Sequence, residues 1–234
     1  MPTRIAAALT RIRQTLPTDV TLLAVSKTHP AEAIQEAYDA GQRCFGENKV
    51  QELIAKAHLL PQDIEWHLIG HLQTNKVRSV LPYVSLIQSV DSLKLVATID
   101  KESAKLALST RILLQVHIAQ EETKFGFSPE ELRTLIEKNA FTSYKHVQIC
   151  GLMGMASLSE DEAQIRREFD SLKALFNEIR AKNLLPVSPF QILSMGMSGD
   201  YPIAVEAGST LVRVGSSIFG ARNYGAEASE NKEA

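Results

Sequence analysis

The sequence predicts a single parallel (β/α)8 TIM barrel, in which eight β-strands alternate with helices. Eight short runs rich in apolar residues alternate with helical patterns, and no linker or low-complexity stretch interrupts them. The length of 234 residues is typical of one α/β barrel, and a count of eight strands favours a closed barrel. A doubly wound open sheet is the alternative, although no GxGxxG motif follows its first strand.

The first half of the chain supplies an extra N-terminal helix and four strands. Residues 5–16 place apolar side chains on one helical face, which favours a structural helix over an arginine-rich transit peptide. Helical spacing over residues 30–40 closes on Gly41, and further helices are expected from about Lys49 and near Asp91. The four strands are expected at residues 21–25, 44–45, 66–69 and 86–88.

The second half of the chain supplies the remaining four strands and three helices. Ser128, followed by proline and two glutamates, predicts the cap of one helix. Ser159 and Glu162 predict a capping box for a long helix, and a short helix is expected over residues 198–207, closed by Gly208. The strands are expected at residues 111–118, 147–150, 190–193 and 211–214.

Composition and charge exclude several classes of protein. With 25 basic and 27 acidic residues there is no basic sheath for nucleic acid or a membrane surface, and no apolar run is long enough to span a bilayer. Cys44 and Cys150 form no CxxC pair, which is typical of a reducing cytosol. We expect a cytoplasmic monomer whose barrel domain covers residues 1–225 and whose residues 226–234 are a flexible tail.

Two charged residues lie where such a barrel carries its active site, at or near the carboxyl ends of its strands. Lys27 follows a buried apolar strand, where desolvation favours the neutral amine that attacks aldehydes and ketones. The alternative is a surface lysine, or a lysine paired with an acid such as Glu47. Arg213 lies inside the eighth strand, so its charge must meet either a ligand or a buried acid.

The ends of the last two strands indicate a phosphate site. Ser198, Gly199 and Asp200 open the expected short helix, so that N–H groups and a hydroxyl would face an anion. Gly215 and Ser216 offer a second close approach of the backbone. Each segment alone is explained as well by a capped helix or a tight turn. Together with a strand-end lysine they indicate a phosphorylated carbonyl compound.

No metal site is expected from the sequence. His67 and His71 are four residues apart, but a strand-end glycine stands between them and no carboxylate set lies nearby. Cys44 and Cys150 are expected to be small buried hydrophobic residues. Lys124 is either a loop contact to an anion or a solvated charge.

Six segments together resemble the pyridoxal-phosphate homeostasis protein family, also described as YggS-like or proline-synthase co-transcribed proteins. The resemblance runs from residue 21 to residue 224, and one departure is Lys49, where the family usually has tyrosine. The segments are LLAVSKTHP around Lys27, FGENKVQE around Asn48, WHLIGHLQTNK from Trp66, GLMGMA from Gly151, LSMGMSGD from Leu193 and AGSTLVRVGSSIFGAR from Ala207.

The resemblance implies a barrel like the N-terminal domain of alanine racemase, with pyridoxal 5′-phosphate held as a Schiff base on Lys27. Arg213 would face the pyridine nitrogen of the cofactor, and Asn48 would lie beside it. The phosphate would be held by Ser198, Gly215 and Ser216.

The function that the resemblance implies is binding, storage and delivery of the cofactor inside the cell, with no catalytic residue assigned. An arginine cannot accept the proton that a reactive pyridine ring would share with it. We also expect no second domain of the kind that gives alanine racemase its tyrosine base. Apo forms of pyridoxal-phosphate enzymes are the expected partners. The alternatives are an amino-acid racemase that uses the cofactor and a cofactor-free Schiff-base aldolase.

Overall fold

The computed structural model describes residues 3–121, 125–182, 185 and 189–220, and these residues form a closed barrel of eight parallel strands. Each strand pairs with the next one in the chain, and the last pairs with the first. The barrel prediction is therefore confirmed over the open sheet. The strands are β1 Thr21–Val25, β2 Cys44–Glu47, β3 Glu65–Leu68, β4 Leu86–Val90, β5 Thr110–His117, β6 Val147–Met155, β7 Ile192–Met197 and β8 Leu211–Val214.

Helices connect the strands on the outside of the barrel, and none in the described ranges is long and apolar enough to cross a membrane. Those helices are α1 Arg4–Thr15, α2 Ala31–Asp39, α3 Val50–Ala57, α4 Val77–Val80, α5 Leu93–Lys105, α6 Pro129–Glu137, α7 Glu162–Ala181, α8 Tyr201–Glu206 and α9 Ser216–Phe219. The predicted tail and Lys124 lie outside the described residues.

The extra N-terminal helix, α1, packs where the ring of helices closes. Its predicted apolar face is buried, and Arg4 donates from Nη2 to the carbonyl oxygen of Phe219 in α9 at 2.8 Å. Arg13 donates to the carbonyl oxygen of Ala40, beyond the end of α2, and to Oε1 of Gln42. The helix therefore links the last helix of the barrel to the connection between α2 and β2.

Side chains alternate along each strand between the barrel interior and the layer under the helices. Small apolar clusters fill the interior, and the larger cluster lies between the strands and the helices. The interior also buries polar side chains, among them Gln88, Ser194 and Arg213. The interior clusters are built from Leu86, Leu113, Cys150 and Met153, and from Leu23, Cys44 and Leu211.

The bounds of β2 to β5 differ from the prediction by one or two residues, whereas β6 and β7, which contain glycine, extend further beyond their predicted ends. β6 continues to Met155 through two glycines that resemble a turn signal. One of them, Gly151, lies so close to Ile192 that a Cβ would overlap its carbonyl oxygen. β7 begins two residues later than expected and continues through Met197, while Phe190 packs on α7 outside the strand. Residues 194–197, which were expected to follow the seventh strand, therefore form most of β7.

The helix starts were predicted with mixed success. The cap at Ser128 is confirmed, since its Oγ accepts from the N–H of Glu131 at 3.0 Å. The cap at Ser159 is wrong, because Asp161 lies next to the first turn of α7 and its carboxylate accepts two N–H groups there. The short helix α8 begins at Tyr201 after a turn, three residues later than expected.

Candidate functional site

A cavity of about 450 Å³ opens at the carboxyl ends of the strands, in the size range of small-molecule sites. It lies where barrels of this class place their chemistry. The structure thus brings together residues that are up to 195 positions apart in the sequence, from Val25 to Gly220. All six residues that were predicted to bind a cofactor line the cavity: Lys27, Asn48, Ser198, Arg213, Gly215 and Ser216.

Lys27 is placed by the end of β1. Its neighbour Ser26 is buried, accepts a backbone hydrogen bond from His29 and donates from Oγ to Oε1 of Glu47 at 2.6 Å. On the other side, Thr28 has a φ of 67° and its N–H donates to Oε1 of Glu52. The chain therefore bends sharply at Lys27, with both flanking residues fixed by carboxylates.

A buried ion pair lies behind this bend. Lys56 of α3 donates from Nζ to Oε1 of Glu47 at 2.8 Å, to Oε1 of Glu52 and to the carbonyl oxygen of Ser26. Burial raises the pKa of Glu47 to about 7, although Lys56 and Ser26 oppose the shift. Glu47, which the sequence offered as a partner for Lys27, thus has its salt bridge with Lys56 and ties β1 and β2 to α3.

Arg213 reaches the cavity from the interior of the barrel and is only 4% exposed. It donates from Nη1 to Oγ of Ser194 at 2.7 Å and from Nη2 to the carbonyl oxygen of Gly154 at 2.9 Å. Both acceptors are neutral. Burial lowers the pKa of Arg213 to about 10, and the charge of Asp200 partly offsets this. Because a guanidinium has five N–H groups, others remain available to a ligand in the cavity.

A line of hydrogen bonds continues from Arg213 down the barrel. Oγ of Ser194 donates to Oε1 of Gln88 at 2.7 Å, and Nε2 of Gln88 donates to Nδ1 of His67 at 2.8 Å. Burial lowers the pKa of His67 to about 3, and Arg111 adds to the shift, so the ring is neutral. The sequence predicted Arg213 as a site residue but gave no indication of the residues that support it.

The ends of β7 and β8 form the side of the cavity that was predicted to hold phosphate. The N–H of Gly215 donates to Oγ of Ser198 at 3.1 Å, which leaves the hydroxyl proton of Ser198 for another acceptor. The first N–H groups of α9, on Ser216 and Ser217, have no acceptor within the helix. Donors therefore gather here as expected. The N–H groups belong to the first turn of α9, and Ser198 contributes its hydroxyl from the turn between β7 and α8, since α8 begins later than predicted.

Asn48 lines the cavity just after β2, and its backbone lies against the end of β3. A Cβ on Gly70 would stand 2.4 Å from the carbonyl oxygen of Asn48, so only glycine allows this approach. Lys49 is exposed and lies outside the residues that line the cavity.

Several residues that line the cavity were not predicted as site residues. His71 stacks on Phe125 at 4.5 Å and pairs through Nδ1 with Asp91. His29 stacks on Phe219. The signal for His71 was its place just after the third strand, although its spacing from His67 drew attention only to a metal site. His29 follows the first strand by four residues, and no motif singled it out.

Comparison with known proteins identifies relatives over nearly the whole chain. The family described as "Alanine racemase, N-terminal domain" matches residues 2–223. Pyridoxal phosphate homeostasis proteins from Haemophilus influenzae and Schizosaccharomyces pombe are 39% and 38% identical to the chain. The alignments cover 91% and 87% of this chain, and 89% and 85% of those proteins.

Solved structures give the same picture. PipY from Synechococcus elongatus, with pyridoxal phosphate bound, is 41% identical and superposes with a TM-score of 0.83 over 92% of this chain and all of PipY. The same protein without the cofactor gives a TM-score of 0.87 at 42% identity, with the same coverage of both chains. Alanine racemase from Bartonella henselae is 17% identical with a TM-score of 0.70, over 96% of this chain and 60% of the racemase, which shows a shared fold alone.

Proposed function

The chain belongs to the pyridoxal phosphate homeostasis proteins of the alanine racemase N-terminal domain family, and from this we propose that it binds pyridoxal 5′-phosphate and maintains its supply in the cell. The observation that carries the proposal is the composition of the cavity. One wall holds a strand-end lysine, the interior supplies a buried guanidinium, and the ends of the last two strands supply hydroxyl and N–H donors.

The residues present fit this cofactor. Arg213 is buried on neutral acceptors and has N–H groups left to meet a lone pair, which the pyridine nitrogen supplies. The first turn of α9 and the hydroxyl of Ser198 are donors suited to a phosphate. Lys27 supplies the amine for a covalent link to the aldehyde carbon.

When bound, pyridoxal phosphate supplies an electron-withdrawing ring, which is most effective with a protonated ring nitrogen. Arg213 acts against that protonation, because a guanidinium beside the nitrogen donates a hydrogen bond and opposes a second positive charge. We therefore assign a carrier role, with no catalytic residue. A racemase-like activity would need a base on the cavity wall, and His29 and His71 are imidazoles placed there.

The covalent link is tested by borohydride reduction of the cofactor-loaded protein followed by peptide mapping. We expect the pyridoxyl group on Lys27, and we expect Lys27→Ala to lose the visible absorbance while the fold is retained. Modification mainly at Lys49, Lys76 or Lys124 would overturn the assignment. A purified protein that binds no chromophore would favour the cofactor-free aldolase.

The phosphate site is tested by comparing pyridoxal with its phosphate. Removal of the Ser198 hydroxyl in Ser198→Ala is expected to cost about 1.5–3 kcal/mol of binding free energy, or roughly 10- to 150-fold in affinity. Equal affinities for pyridoxal and pyridoxal phosphate would contradict the site.

The carrier role is tested by exchange of the α-hydrogen of alanine and other amino acids into deuterated water. We expect slow exchange with the loaded protein and faster, though still weak, exchange with Arg213→Glu, because an acid beside the ring nitrogen favours its protonation. Exchange by the unmodified protein at about 1 s⁻¹ or faster, an ordinary enzymatic rate, would replace the carrier role with the racemase-like one.

The remaining parts of the proposal concern the cell. We assign the protein to the cytoplasm as a monomer that delivers the cofactor to apo enzymes. Sedimentation of the loaded protein tests the oligomeric state. Transfer to an apo transaminase, compared with free cofactor at the same concentration, tests delivery.

A further inference from the structure

Three metal-ligating side chains meet at the amino-terminal end of the barrel, away from the cofactor cavity. Cys44 begins β2, and its Cα partner in β3 is Glu65. His67 follows two residues later and therefore lies on the same face of the strand. One donor atom from each of the three side chains lies within 4.8 Å of the other two.

The spacing of these atoms suits one metal ion. Nε2 of His67 lies 3.4 Å from Sγ of Cys44. A tetrahedral zinc ion, bound at about 2.3 Å from sulfur and about 2.0 Å from nitrogen, holds these two atoms roughly 3.5 Å apart. The three residues line a separate cavity of about 250 Å³, which shares no lining residue with the cofactor cavity.

We propose that Cys44, Glu65 and His67 bind a zinc-like divalent cation at this end of the barrel. A thiolate, an imidazole and a carboxylate are ligands that Zn²⁺ accepts in tetrahedral sites, and three protein ligands leave one position for water. Binding deprotonates the Cys44 thiol and releases that proton to the solvent. The thiolate and the carboxylate together balance the two positive charges of the ion.

Gln88 supplies the support that a histidine ligand needs. Its amide contacts Nδ1 of His67 at 2.8 Å. When Nε2 binds the cation, the single ring proton moves to Nδ1, which must then find an acceptor. Rotation of the Gln88 amide by half a turn presents Oε1 to Nδ1 and directs Nε2 at Oγ of Ser194. That oxygen has two lone pairs and accepts from Gln88 and Arg213 together.

One charge opposes the cation. Arg111 lines the same cavity, and its charge acts on both Cys44 and His67. Its repulsion lowers cation affinity without removing a ligand, and Arg111→Ala is therefore expected to bind the cation more tightly. This direction is opposite to the effect of any ligand variant.

The site is tested by titrating the full chain with Zn²⁺ in a calorimeter and with Co²⁺ in a spectrometer. We expect one equivalent of each metal to bind, and Co²⁺ to give thiolate-to-cobalt charge-transfer absorption. Cys44→Ser should abolish that absorption and weaken Zn²⁺ binding by at least about 100-fold, since loss of an outer partner alone costs about 10- to 100-fold. Gln88→Leu tests such an outer partner and is expected to fall in that range.

Two further variants keep the test decisive. Glu65 is exposed, so Glu65→Gln should fold and still lose Zn²⁺ affinity. Cys150→Ser is the matched control, because Cys150 is the other buried cysteine and lies outside the cluster. Absence of stoichiometric binding, or loss of the cobalt absorption in Cys150→Ser with its retention in Cys44→Ser, would overturn the proposal. None of these outcomes depends on whether the chain binds pyridoxal phosphate.

Discussion

Ser194 is expected to contribute strongly to stability, because its Oγ accepts a hydrogen bond from the buried guanidinium of Arg213. Its hydroxyl also donates to Gln88, so it joins the cofactor end of the barrel to the interior. The sequence could not reveal this role. Ser194 is one of many serines near a strand end, and its partners are 19 and 106 positions away.

Ser194→Ala should destabilise the protein by about 1–3 kcal/mol, because it leaves an N–H of Arg213 and the amide oxygen of Gln88 buried without a partner. Urea denaturation measures this difference in the free energy of unfolding. Ser79→Ala removes an exposed hydroxyl and should change it by less than about 0.5 kcal/mol. Equal effects of the two substitutions would show that the buried bond contributes nothing.

Glu47 gives the protein a dependence of stability on pH. Its pKa is raised by burial from 4.5 to about 7, so the folded state binds this proton more tightly than the unfolded state. The stabilisation of the folded state that this proton provides is therefore complete below about pH 4.5 and is lost as the pH rises through 7. At 1.36 kcal/mol for each pKa unit, the loss amounts to about 3 kcal/mol.

Glu47→Gln should remove this dependence, since an amide does not titrate. The gap in unfolding free energy between the parent and the variant should shift by up to about 3 kcal/mol in favour of the variant between pH 4.5 and pH 8. Denaturation curves at several pH values measure the gap. Glu206→Gln, at an exposed ion pair with Arg166, serves as control. A gap that stays constant with pH would refute the assigned cause.

The six residues proposed to bind the cofactor could be selected from the sequence because each stands in or just after a strand and within a recognisable motif. The residues that hold them in place could not be selected in this way. The partners of Arg213 and the cluster of Cys44, Glu65 and His67 depend on which strands are neighbours and in what register. In the sequence, His67 suggested a pair only with His71, four residues later. The structure instead places it beside Cys44 of the neighbouring strand β2.

At the scale of elements, the strands that were placed correctly are short and mainly apolar runs. β1 and β8 have the predicted bounds because nothing within them resembles a turn. β6 and β7 extend beyond their predicted ends because their glycines serve close packing, whereas glycine in sequence more often signals a turn. Gly151 lies against β7, Gly154 against α7 and Gly196 against α8. Local pattern therefore located each element, and contacts between elements set its length.

Asp161→Ala should destabilise α7, because the Asp161 carboxylate accepts from the N–H groups of Ala163 and Gln164. The expected cost is about 0.5–2 kcal/mol, as for other helix caps. Ser159→Ala, at the cap that the sequence predicted, should cost less than about 0.5 kcal/mol. Thermal or urea unfolding of both variants decides between the two caps, and a larger cost at Ser159 would restore the sequence-based one.

At the scale of the whole molecule, closure of the barrel could be predicted from the count of eight strands, whereas the polar interior could not. The cavity exists only in the folded barrel, so a ligand that binds there stabilises the fold. Pyridoxal phosphate at about 100 times its dissociation constant should raise the free energy of unfolding by about 2.7 kcal/mol. Pyridoxal at the same concentration should raise it far less. Calorimetric melting compares them, and equal shifts would argue against a phosphate site.

The bond between Arg4 and the carbonyl oxygen of Phe219 has a topological consequence. It places α1, the first helix, beside α9, the last helix of the described residues. Because the described residues begin and end at neighbouring helices, the two helices can be joined there and the barrel opened elsewhere. The exposed connection between α3 and β3, on the side away from the cofactor cavity, is a natural place to open it. A circularly permuted chain of this kind should fold to the same barrel and keep the same cavity.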